Sequence, residues 1–214
     1  MTSVDDVFRG FCQACVSARD ECPLAGDLSA EQLEEMLYDY FETLRFNPVP
    51  LLSQNFPGGG LPVDYSIIKG SILALLNFPS AWPLIANGIA ATIAGSPPLE
   101  IAGEVPPQDA LSGIKCSDVL TRLDNYTDWS PQAEARLGLS RFAGDLAWEV
   151  AYRCGQWKLP AKERYDGDFR VRTKNPVLLI GNTFDPVTPL VSARNVSETL
   201  EGSVLLQQDS YGVG

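Results

Sequence analysis

One segment of the 214-residue chain carries residue types in an order that suits hydrolytic chemistry: Asn182-Thr183-Phe184-Asp185-Pro186-Val187-Thr188-Pro189. It follows Val177-Leu178-Leu179-Ile180-Gly181, a short continuous apolar run of the kind that forms a strand buried on both faces of a parallel sheet. In open α/β sheets functional groups gather outside the carboxyl end of such strands. A carboxylate placed there can accept the N–H of an imidazole, hold its tautomer and stabilise the imidazolium. The plainer alternative is that Asp185-Pro186 is only a turn, and spacing alone favours the turn. There is no histidine among the 214 residues. Because His is the usual general base of hydrolysis and the commonest metal ligand, such a mechanism must do without imidazole or borrow it from elsewhere.

The other chemistry-bearing residues point less clearly. Cys12 and Cys15 make a C-x-x-C, but zinc takes four ligands and the sequence offers neither a second such pair nor a His, so no metal site is expected. Five cysteines leave at least one thiol free if disulfides form. The run Gly58-Gly59-Gly60 lacks the Lys-Ser/Thr that would make a phosphate loop. Two sequons, Asn125-Tyr126-Thr127 and Asn195-Val196-Ser197, are compatible with a secretory route. The first residues show neither a basic region nor an apolar one of a signal peptide, so the compartment stays open.

Composition narrows the partners. Apolar residues make up 45% and charged ones 20%, the balance of a folded protein. The net charge of −11 argues against nucleic acid or an anionic membrane, both of which need a positive face. Gly70 to Leu99 is free of charge, yet Asn77, Pro79, Ser80, Pro83 and Asn87 interrupt it. It reads as two buried helices joined at Phe78-Pro79-Ser80 rather than as a membrane span.

Helical signals dominate the elements that precede Asp185. Ser3 is placed to cap a first helix, with Asp5 and Asp6 in its first turn and Val4, Val7, Phe8, Phe11 and Cys15 on one face. Ser29 and Gln32 form a capping box before Leu33, Met36, Leu37, Tyr40, Phe41 and Leu44, while acids from Glu31 to Glu42 make what reads as a solvated face. The proline- and glycine-rich stretch from Asn47 to Pro62 reads as a loop, and Gly95 to Gln108 as a second connector. Helical patterns return at about 64–77, 81–94 and 111–157, the last with breaks near Trp129-Ser130-Pro131 and at Gly155. No strand is expected before residue 157. Beyond the apolar run, Thr188 and Pro189 read as N-cap and first helical residue of a helix to about Leu200, with Ser203 to Gln207 the next strand.

The run from Asn175 to Leu190, followed by Ala193, resembles the C-terminal region of α/β-hydrolases of the tripeptidyl-aminopeptidase and proline-iminopeptidase type, fungal and actinobacterial members above all. Other pieces agree in order: Phe11 to Cys22 with its Cys-x6-Cys pair; Asn77-Phe78-Pro79-Ser80 and Trp82-Pro83-Leu84; Gly113 to Asp118; and Cys154-Gly155-Gln156-Trp157. The resemblance implies an α/β fold class, a partial α/β-hydrolase. Residues 1–170 would be a helical cap region with a flanking core helix, and 171–214 a C-terminal strand-helix-strand segment of the core.

It further implies a serine hydrolase with a Ser-His-Asp triad, acting on a peptide or a small ester or amide, with no cofactor and no metal. Only the triad acid carries over, onto Asp185. The nucleophile elbow G-x-S-x-G occurs nowhere in the chain, and Asp209 to Gly214 stops short of the Gly-His that follows the last strand in the family. Two disulfides are implied, Cys15–Cys22 and Cys116–Cys154, with Cys12 left free. Alternatives of another class are a catalytically inactive remnant or interaction module, and an acidic helical binding protein. Oligomeric state and substrate identity are not given by these residues.

Overall fold

Val4, Val7, Phe8, Phe11 and Cys15 recur at helical spacing, and all five are buried along α1 (Val4–Ser17). The computed structural model describes residues 3–52, 59–98, 109–119, 122–123, 125–146 and 148–213. The second helix, α2 (Ala30–Thr43), begins at the expected capping box: the Gln32 N–H donates to Ser29 Oγ, and the Ser29 N–H donates to the Gln32 side chain. Ser3 does not do the same for α1, since its side chain makes no cap bond. Asp5 is diverted from the helix start to another task. Its carboxylate accepts from the Ser140 hydroxyl and from the Arg141 and Phe142 N–H groups, at 2.7–2.9 Å.

That clamp sets Phe142 on the centre of the helical layer. The Phe8 ring lies 4.6 Å from Phe142, 5.4 Å from Tyr38, 6.0 Å from Phe11 and 6.2 Å from Phe41. A second tie runs from the same segment to α3 (Tyr65–Leu76), which Asp64 caps. Lys69, only 1% exposed, donates to Asp145 at 3.0 Å, and the Tyr65 hydroxyl donates to the same carboxylate at 2.6 Å. Burial holds the Lys69 ammonium below the ordinary lysine range, with Asp145 pulling the other way. Burial also pushes Asp145 up, but the hydrogen bonds from Tyr65 and Lys69 and the Lys69 charge outweigh it and leave Asp145 below the usual carboxylate range. A 3₁₀ turn, Pro79–Ala81, leads from α3 into α4 (Trp82–Ile93), so the uncharged stretch is the expected helix pair. Among the described residues no helix is long and apolar enough to cross a membrane.

Three local expectations are corrected. The stretch from Asn47 to Pro62 contains an antiparallel ribbon, β1 (Val49–Leu52) on β2 (Gly60–Val63). Its prolines concealed it, yet Pro50 faces Pro62 in the register, and a two-stranded ribbon has edges where a missing N–H costs little. The helix α6 (Tyr126–Leu137) runs through Pro131 instead of breaking there. Pro131 is its sixth residue and α6 buries no side chain, so water can satisfy the carbonyl left over in the first turn. Lastly, the acids of α2 do not form a uniformly solvated face: Glu34 is buried beside Arg9, and Glu35 takes two hydrogen bonds from Arg141. Most of the connector after Gly95 lies outside the described residues.

The disulfide Cys116–Cys154 joins α5 (Asp109–Asp118) to α7 (Trp148–Gly155), and Cys15–Cys22 ties the end of α1 to the turn after it. Cys12 is free and buried, and burial pushes its thiol far up.

From residue 171 the chain forms parallel pairs. β3 (Val171–Arg172) pairs with β5 (Leu200–Glu201), and β4 (Leu178–Phe184) with β6 (Val204–Tyr211), the two longer strands being linked through α8 (Leu190–Thr199). Gly181 lets α8 lie close on the sheet, because a Cβ there would sit 2.9 Å from the Ala193 methyl. The helix starts one residue later than expected, with Pro189 as its extended N-cap and Thr188 engaged elsewhere. The expectation of burial on both faces fails. Leu178, Ile180, Val204 and Leu206 are each more than half exposed on the face away from α8. Among the described residues nothing covers that face except at its carboxyl end, where Phe184 and Tyr211 pack against the helical core.

Candidate active site

Asp185 follows the last residue of β4 and is 3% exposed. A shift in the pairing register between Asn182 and Phe184 ends the regular ladder just before it. Its Oδ1 accepts from the Val187 N–H at 2.8 Å and the Thr188 N–H at 2.7 Å, and its Oδ2 accepts from the Thr188 hydroxyl at 2.8 Å. The turn expected from Asp-Pro therefore exists, and the acid also stands at the carboxyl end of a parallel strand. The two descriptions are compatible. A carboxylate has about four lone-pair positions, so three donors fix its plane and leave acceptor capacity on Oδ2.

Sequence reasoning missed one partner of this acid and one residue that pins the strand exit beside it. Thr188 looked like a helix cap, but its hydroxyl and N–H both serve Asp185. Asn182, 3% exposed, donates through Nδ2 to the Gly212 carbonyl at 2.8 Å, while its Oδ1 has no partner. The polar pair Asn182-Thr183 near the end of an otherwise apolar strand was the available signal. Gly212, at φ +97°, donates its N–H to the Phe184 carbonyl, and the Val213 N–H donates to the Asn77 carbonyl. The exit of β6 is thus pinned both to the Asp185 strand and to the helical layer. A cavity of about 310 Å³ opens beside β4 and α8, with Asn182, Asp185, Thr188 and Ser192 among its polar lining.

The ring of Tyr211 stacks on Phe184 at 4.6 Å and meets Trp82 at 5.3 Å, which places α4 next to the acid loop. The cysteines lie apart from this place, four of them as the two disulfides and Cys12 inside the helical core. Asn125 is the N-cap of α6, its side chain accepting from the Asp128 N–H. Among the described residues no group of three or more His, Cys, Asp or Glu side chains converges on a metal position.

Asp185 is thus a buried, oriented carboxylate outside the carboxyl end of a parallel strand, the place where ligands of open α/β sheets gather. Residues 140–214, about a third of the chain, match the family described as TAP-like protein, of the α/β-hydrolase (Abhydrolase) class. The match supports a hydrolase-family protein with a TAP-like segment in its C-terminal part. No curated protein matches the chain.

Proposed function

We propose that Asp185 is the acid of a Ser-His-Asp triad in a serine hydrolase of the aminopeptidase type, whose serine and imidazole come from outside these 214 residues. The reaction is removal of N-terminal residues or short peptides, or hydrolysis of a small ester or amide, without cofactor or metal. Residues 1–170 act as the helical cap that decides which substrates enter, and 171–214 as the C-terminal segment of the hydrolase core. The observation that carries this reading is the Asp185 carboxylate, buried and held by three donors with Oδ2 still able to accept. In that role Oδ2 accepts the imidazole N–H, fixing the tautomer that takes the serine proton and stabilising the imidazolium that forms. Val187 and Thr188 keep the carboxylate from rotating away.

Two measurements test it. In a polypeptide that contains these residues with a G-x-S-x-G and a Gly-His, Asp185→Asn lowers kcat by about 10⁴ with a much smaller change in KM. Genomic sequence flanking the coding region is expected to hold the G-x-S-x-G upstream and the Gly-His downstream. If neither is there, the second reading takes over: a non-catalytic remnant or interaction module, favoured by a chain that contains neither histidine nor nucleophile elbow. The 214 residues alone are expected to stay unlabelled by a fluorophosphonate probe, and labelling of a single serine would sink the proposed division of the triad.

A further inference from the structure

Trp82 separates the acid loop from a second cavity. On one side its ring meets Tyr211, which stacks on the residue before Asp185; on the other it meets Phe11 edge-on at 6.1 Å and walls an open cleft of about 240 Å³. The cleft exists because three residues that line it stop at Cβ: Ala14 on α1, Ala18 at the C-cap of that helix, and Ala86 on α4. Its walls are fixed before any ligand arrives. The Cys15–Cys22 disulfide forms one side, and Pro79 and Pro83 flank Trp82, whose indole N–H is directed at the Leu76 carbonyl. Preformed apolar walls remove the ordering cost that weakens most small-ligand binding. The only ionisable group among the lining residues is the exposed Glu21, which repels an acidic ligand. Pro79 also touches the exit of β6: a Cβ on Gly212 would lie 2.9 Å from it. The mouth of the cleft and the carboxyl end of the sheet therefore share a wall.

We infer that this cleft is a specificity pocket that takes one neutral apolar side chain, aromatic or branched aliphatic, of a peptide or amide ligand. Its meaning as a substrate pocket rests on the hydrolase reading; its capacity to bind does not. The test titrates the chain with N-acetylphenylalaninamide and N-acetylleucinamide, following tryptophan fluorescence, with Trp82→Phe identifying the signal. Saturable binding is expected for both, at least about tenfold tighter than for N-acetylglycinamide or an N-acetylaspartate amide. Ala14→Phe and Ala18→Phe fill the cleft from exposed positions, so each is expected to weaken binding about tenfold or more while leaving the far-UV circular dichroism spectrum unchanged. Absence of saturation, equal binding of the glycyl or aspartyl amide, or unchanged affinity in both variants would each overturn the assignment. Serine labelling and the Asp185 variant do not enter this titration, so the triad reading fails or survives separately.

Discussion

The helical layer of α1 to α4 and the β4-α8-β6 unit both carry large apolar side chains, yet only the first closes on itself. Phe8, Phe11, Phe41 and Phe142 interlock there at no more than 1% exposure. In the second, Leu190 is the sole buried residue of α8, and Leu178, Ile180, Val204 and Leu206 face outward. A parallel strand pair covered on one face is half of the arrangement in which such strands are ordinarily found. The contrast separates a region whose stability is internal from one whose apolar residues suit contacts outside the described residues.

The comparison breaks most readily at Phe8. Phe8→Ala is expected to cost about 3–5 kcal/mol, read from urea unfolding, because the ring meets four other aromatic rings. A loss below 1 kcal/mol would mean that the helical layer is not the stable body. Next come the disulfides. Chain entropy assigns about 4 kcal/mol to Cys116–Cys154, which closes 38 residues, and about 2 kcal/mol to Cys15–Cys22, which closes 7. Cys-to-Ala pairs measured separately should keep that order, and mass spectrometry of protein from its native source should find Cys12 as the single free thiol.

Acid sharpens the comparison on the helical side. Asp145 has a folded pKa below its unfolded value of about 3.9. The unfolded state therefore binds more protons between the two values, and the stability Asp145 contributes is complete above about 3.9 and lost as pH falls through the lower one. Asp145→Asn should flatten the dependence of the urea midpoint on pH in that range. Lys69, also held low, gives the opposite edge: stability rises with pH from its folded value toward that of a free lysine. The smallest free-energy effect belongs to the sheet. Ile180→Ser and Leu206→Ser should each change stability by no more than about 0.5 kcal/mol, yet reduce self-association in sedimentation, since the isolated chain is expected to aggregate through that face. A sharply melting soluble monomer of the unaltered chain would contradict this.

What the sequence disclosed follows the same division. Stripes such as Val4-Val7-Phe8-Phe11 and the Ser29/Gln32 box are local signals, and local contacts realise them. Asp5 escaped because its partners lie 135 or more residues away, at Ser140 to Phe142. The β1–β2 ribbon was hidden by prolines that matter less when a strand has one neighbour. At the candidate site the position of Asp185 was legible from the apolar run before it. Thr188 and Asn182 were not, because their roles depend on a turn and on a strand exit that only the folded chain brings together.

Gly10 carries one more consequence. A methyl group there would collide with the ring of Tyr211, which is already held between Phe184 and Trp82 and has little room to retreat. The distance at which the first helix approaches the acid loop is thus gauged by a hydrogen atom. Any side chain at position 10 would act as a wedge, prising the aromatic stack from the helix and moving Asp185 out of line without touching it.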